Sequence, residues 1–201
     1  MPRKSAKPYH HGGLREALVE AGTLLIEEAG LSAFTLRECA RRAGVSHAAP
    51  KNHFATAEDL LAEIAARGYE RFVASLGKAA DRAADQSPDT RLIAMGQAYV
   101  AFARAHPGVY GLMFRTMKDH AVTSGHLDDA KRAAWVQLHD GVAAVIGPGR
   151  GDGAVKSAHV WALVHGIASL IIDKRLPPPL VPAVVISESL ASLPAALRSV
   201  G

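Results

Sequence analysis

Ten histidines in a chain of 201 residues invite a search for a metal centre or an acid–base site. The pairs His47/His53, His120/His126 and His159/His165 are each six residues apart. Two imidazoles share one helix face only at a spacing of three or four, so these pairs are not metal pairs. The single cysteine, Cys39, excludes an internal disulfide and a thiolate cage. Gly77-Lys78 lacks the upstream glycine of a phosphate loop, and Lys156 follows Val155 where such a loop has glycine. No Ser, Cys or His stands in a recognisable nucleophile context, and Arg150-Gly151-Asp152 spells an adhesion tripeptide only by coincidence. Catalysis, metals and cofactors therefore find no support in these patterns.

A different chemistry is concentrated in "TLRECARRAGVSHAAPKNHF", residues 35–54. Arg37, Arg41, Arg42 and Lys51 stand there against one acid, Glu38. Two short helices joined by a glycine turn make a helix-turn-helix. The helix expected from His47 to Phe54 needs only Ala49 and Phe54 inward, with Val45 in the turn. Its outer face then offers His47, Ala48, Lys51 and Asn52. Small and polar side chains at a helix start allow close entry into a major groove, where base edges are distinguishable. The expected caps Thr35, Ser46 and Thr56 free backbone amides for phosphates. Charge agrees with a polyanionic partner. Residues 1–55 carry eight Lys and Arg against five Asp and Glu, whereas the rest carries fifteen against fourteen.

The elements that must position this stretch are helical. Hydrophobic residues make up 49 % of the chain but aromatics only 5 %, leaving Ala, Leu and Val to fill the core. Leu14, Leu18, Ala21, Leu25 and Ala29 repeat at helical spacing and Gly30 ends the run. Thr35 with Glu38, and Thr56 with Asp59, have the capping-box spacing. Further helices are expected from Thr56 past Phe72, from Pro88 to His106, through "GVYGLMFRTM", from Leu127 to Ile146, and from Ala154 to about Arg175. The last stretch, 182–200, is expected as two pieces divided at Pro194. No strand pattern is evident. The run "AHVWALVHGIASLII" is broken by two histidines and too short to span a bilayer, and the N-terminus has no apolar leader, so a cytoplasmic setting is expected.

Residues 12–60, from "GGLREALVEAG" through "AGVSHAAPKNHF" to "ATAEDLL", together with the preceding "YHHG", resemble the DNA-binding region of the tetracycline-repressor (TetR) family. "VWALVHGIASLIID", with "HPGVYGLMF" before it, resembles the branch whose C-terminal domain bears a Trp-x-x-x-His-Gly signature. The resemblance implies an all-α chain, a transcriptional regulator and not an enzyme. A flexible basic arm (1–11) precedes a three-helix helix-turn-helix DNA-binding domain (12–56) and a helical effector-binding and dimerisation domain (57–201). It implies base contacts from His47, Ala48 and Lys51, phosphate contacts from Thr35, Asn52 and His53, and either from Arg37. Arg3, Lys4 and Lys7 would follow the backbone or the minor groove. Lys51 departs from the family's usual tyrosine and Pro50 from a frequent leucine, which bears on sequence preference.

The large side chains of the middle region are Met95, Tyr99, Phe102, Tyr110, Met113, Phe114, Met117, Trp135, His139 and Trp161. Several are candidates to line a cavity for an apolar effector, while for any single one of them core packing is the stronger reading. His165-Gly166 reads as a packing motif, with the imidazole satisfied internally. The nearly all-round apolar helix around it, followed by Val184, Val185, Leu190 and Leu193, fits a two-fold homodimer interface. Such a dimer reads a pseudo-palindromic operator. The family default is a repressor released by its effector. The residues themselves leave activation open, and a helical module that contacts protein instead of DNA remains the rival.

Overall fold

The computed structural model describes residues 11–114, 125–148 and 152–199. Among these the regular structure is entirely helical: α1 (His11–Ala29), α2 (Leu36–Arg42), α3 (Ala57–Arg82), α4 (Pro88–Ala105), α5 (Pro107–Phe114), α6 (Gly125–Ile146), α7 (Gly153–Ile172) and α8 (Pro182–Ser199). Arg3, Lys4, Lys7 and Met117 lie outside the described residues.

Local chemistry explains most boundaries. The Thr56 hydroxyl accepts from the Asp59 amide (3.1 Å) while the Asp59 carboxylate accepts from the Thr56 amide (2.9 Å), a complete capping box that opens α3. Ser87 caps α4, and Pro88 occupies its first turn, where no amide is missed. Thr35 caps α2 through the Glu38 amide, but the reciprocal bond is absent, correcting the expected box. The Glu38 carboxylate goes instead to Arg41 and Arg42, whose charges outcompete a neutral amide. Gly30 after α1 and Gly44 after α2 have φ of 78° and 69°, a region that costs side-chain-bearing residues strain.

Two expectations about proline fail. No α-helix starts at His47, and Ser46 makes no side-chain cap. The segment tightens to a 3-10 turn over Ala49–Asn52, with the Lys51 amide donating to Ala48 and the His53 amide to Pro50. Pro50 has no amide for the carbonyl four residues back, and it disfavours helical geometry at Ala49. Its ring is fully buried, so it serves as an anchor of this turn alongside Phe54. Pro194, in contrast, does not divide the last segment. α8 runs through it, and Leu190, Leu193, Pro194 and Leu197 are buried on one face. That shared burial offsets the one lost backbone bond.

α3 is the spine. It packs on α1, α4, α5 and α6, and so joins the helix-turn-helix to the rest. The core is continuous from Leu18, Leu25 and Ile64 at one end to Leu92, Val142 and Leu190 at the other. α7 is long and apolar enough to cross a membrane, but it packs on α4, α6 and α8, with Val160, Val164, Ile167 and Ala168 in the core.

Candidate nucleic-acid interface and sensor cavity

α2, the glycine turn and the 3-10 turn present the sequence-predicted residues outward. Thr35, Arg37, Ser46, His47, Ala48, Lys51, Asn52 and Thr56 are exposed, and His53 is half-buried. Beneath them Cys39, Ala40, Pro50 and Phe54 are buried. The cationic cluster is narrower than composition suggests. Arg41 is bidentate to Glu38 (2.7 and 2.6 Å), and Arg42 bridges Glu38 (3.1 Å) and Glu28 (2.5 Å). Those arginines pull the Glu38 carboxyl down to about 2. Arg37 and Lys51 make no ion pair among the described residues, which leaves them the uncommitted cations of this surface.

A frame of ion pairs backs the 3-10 turn through Phe54. The Arg15 guanidinium lies over the Phe54 ring, 4.9 Å from its centroid, and pairs with Glu63 of α3 at 2.7 Å. Glu63 also accepts from Arg67 (2.8 Å), and Arg67 reaches back to Glu16 of α1. His126, at the start of α6, stands 3.3 Å from Glu63 and 2.8 Å from Glu70. Arg15 foremost holds the Glu63 carboxyl down to about 2, against the opposing effect of its burial. Bonding to Glu70 and then to Glu63 raises the His126 pKa. α1, α3 and α6 thus meet at one buried carboxylate, and Phe54 joins them through Arg15.

The second feature is a cavity of about 420 Å³ between α3, α4, α5, α6 and α7. Five predicted residues line it: Tyr99, Met113, Phe114, Trp135 and Trp161. The others do not. Met95 faces a smaller cleft beside Leu92 and Gly141. Phe102 packs edge-to-face on Phe72 (5.3 Å) and Tyr110 lies behind Tyr99 (6.0 Å). His139 stacks on Trp135 and stands 3.2 Å from the buried Ser157 hydroxyl. The sequence reading missed the α3 wall, Tyr69, Phe72 and Leu76, whose spacing puts them on one face, and also Lys131 of α6. As expected, His165 is satisfied internally: its Nδ1 lies 2.8 Å from the Tyr110 hydroxyl and 3.0 Å from that of Tyr99. Burial lowers the His165 pKa, and burial raises those of Tyr69 and Tyr110 to about 12.

The cavity connects physically to the recognition end through α5. Met113 and Phe114 at its C-terminal end line the cavity, while Glu27 of α1 caps its N-terminal end. The Glu27 carboxylate accepts from the amides of Gly108 (2.9 Å) and Val109 (3.1 Å). α5 approaches α1 so closely that a Cβ on Gly108 would lie 2.5 Å from the Ile26 carbonyl oxygen.

A solvent-facing helix-turn-helix on a helical body with an aromatic-lined cavity defines a DNA-binding protein with a sensor domain. Two family profiles match this division: "Bacterial regulatory proteins, tetR family" over residues 18–64, and "Tetracyclin repressor-like, C-terminal domain" over residues 92–193. A protein of unknown function from Rhodococcus sp. RHA1 is 32 % identical, with TM-score 0.83, covering 96 % of this chain and 100 % of that one. A transcriptional regulator from Rhodococcus sp. Rha1 is 25 % identical, with TM-score 0.68 and coverage of 92 % and 96 %. A bacterial regulatory protein of the tetR family from Rhodococcus RHA1, 19 % identical with TM-score 0.67 over 94 % and 97 %, shares the fold. No curated protein matches the sequence. The chain belongs to the tetracycline-repressor family of bacterial transcriptional regulators.

Proposed function

We propose that this regulator is a homodimeric repressor that leaves a pseudo-palindromic operator when an apolar effector enters the cavity. Residues 1–11 act as its basic arm, 12–56 as its DNA-binding domain and 57–201 as its effector and dimerisation domain. It works in the cytoplasm. His47, Ala48 and Lys51 face base edges. Thr35, Asn52 and His53 contact phosphates, Arg37 reaches either, and the amides at Ser46 and Thr56 add phosphate contacts. The observation that carries this reading is the exposed, uncommitted polar set of residues 46–52 on a buried Pro50–Phe54 footing.

Dimerisation uses the outer faces of α7 and α8. Val155 (58 % exposed), Leu170 and Val184 (55 %) leave apolar surface uncovered there, and a Cβ on Gly166 would meet nothing in its own chain. An effector held against Met113 and Phe114 displaces α5. The Glu27 cap and the Gly108 contact pass that displacement to α1, and α3 carries it to the paired recognition turns. A ligand acts in this way only if its affinity differs between the two arrangements.

The test is a duplex titration over a range of salt. Affinity should fall steeply with salt, and replacing His47 and Lys51 together by Ala should relax sequence choice. Unchanged affinity and preference in that double variant would place the recognition surface elsewhere, as would chains that bind protein and ignore duplexes.

A further inference from the structure

The cavity is aromatic and aliphatic almost throughout, and Lys131 is the one charged side chain on its wall among the described residues. Lys131, Ala134, Trp135 and Leu138 follow the spacing of one helix face, so the ammonium sits one turn before Trp135. It makes no ion pair among the described residues. Of its neighbours on α6, Asp129 lies 3.8 Å from Arg132, and no acid among the described residues lines the cavity. The tyrosine hydroxyls of the wall are committed. The Tyr69 hydroxyl donates to the Met113 carbonyl (2.9 Å), and the Tyr99 hydroxyl sits in the group with Tyr110 and His165. Burial lowers the His165 pKa, which disfavours a second cation behind that wall.

We infer that the cavity takes a mostly apolar, ring-containing molecule bearing one anionic group, with its body against Phe72, Phe114, Trp135 and Trp161 and its anion at Lys131. The inference rests on reading the cavity as the effector site. Lys131 is an exposed residue of the wall, so a wholly apolar occupant leaves its ammonium in water and gains nothing from it, whereas an anion there gains a charge-assisted bond. A volume of about 420 Å³ suits a molecule of two or three rings.

Trp135 and Trp161 are the only tryptophans in the chain, and both line the cavity. Energy transfer from them therefore reports a probe bound in this part of the molecule, and its response to the Lys131 variants assigns it to the cavity. The full-length protein is titrated with anilinonaphthalene sulfonate and with N-phenylnaphthylamine, the same skeleton without the sulfonate. Tryptophan-sensitised probe emission is read for wild type, Lys131→Gln and Lys131→Arg. The wild type should prefer the sulfonate. Lys131→Gln should lower that preference about fivefold, as expected for a partly exposed pair, and leave the neutral probe's affinity unchanged. Lys131→Arg should restore it. Equal binding of the two probes, or a preference that Lys131→Gln leaves intact, overturns the anionic assignment while keeping the cavity as a ligand site. Sensitised emission from neither probe overturns the cavity reading itself, and the inference with it.

Discussion

Only 6 % of Glu63 is exposed, and its carboxylate still meets two arginines and a histidine from three helices. Such an acid is costly to bury alone and strongly held when paired. Its folded pKa of about 2 lies below the ordinary 4.5. A depressed carboxyl stabilises the fold above the unfolded pKa and loses that contribution as pH falls toward the folded one. Glu63→Gln should therefore lower stability by about 2 kcal/mol at neutral pH and flatten the loss between pH 4.5 and 2, read by thermal unfolding across that range. An unaltered acid limb would refute the assignment. His126 carries the opposite sign. Its raised pKa contributes below 6.5 and is lost as pH rises through the folded value, so His126→Ala should remove stability mainly in mildly acidic solution. Neither role is readable from sequence, because residues 15, 63, 67 and 126 meet only after α1, α3 and α6 pack.

Caps made the helices legible. Thr56-x-x-Asp59 and Ser87-Pro88 mark starts by short-range hydrogen bonds that a linear reading can see. Glu38 was half-read, because its competing partners Arg41 and Arg42 lie one turn on and Arg42 also needs Glu28 from α1. The prolines misled for a related reason. Pro50 and Pro194 carry the same local penalty: it takes effect at Pro50, where the segment tightens to a 3-10 turn, and is offset at Pro194 by the buried face on which the helix runs on. The cavity was half legible, since its α4, α5 and α7 aromatics stand out while the α3 wall looks like ordinary core. At this scale α5 carries the testable claim. Glu27→Gln keeps an acceptor at its N-terminus but removes the charge that favours the helix dipole. It should weaken the coupling between cavity occupancy and duplex affinity by several-fold while leaving duplex affinity of the free protein near wild type. Gly108→Ala should act in the same direction, since its Cβ forces α5 off the Ile26 carbonyl. Duplex titrations with and without a cavity ligand read both variants, and full coupling in both would remove α5 from the pathway.

At the scale of the whole molecule, the uncovered apolar surface on α7 and α8 is the conspicuous feature. Val155 (58 % exposed), Leu170 and Val184 belong to helices whose other sides are core. In the proposed dimer a second copy covers this surface, which would account for α7 being apolar nearly all round. Leu170→Glu with Val184→Glu should shift sedimentation from dimer to monomer and abolish tight operator binding, with helicity retained. A variant that stays dimeric would put the interface elsewhere.

Selection of bound duplexes from a random pool, followed by the same selection with His47→Ala/Lys51→Ala, tests the central claim most directly. The account predicts two inverted half-sites separated by about one helical turn or a multiple of it, with base preference within each half-site lost in the double variant. Selected duplexes without two-fold symmetry, or a preference that survives both substitutions, would contradict it.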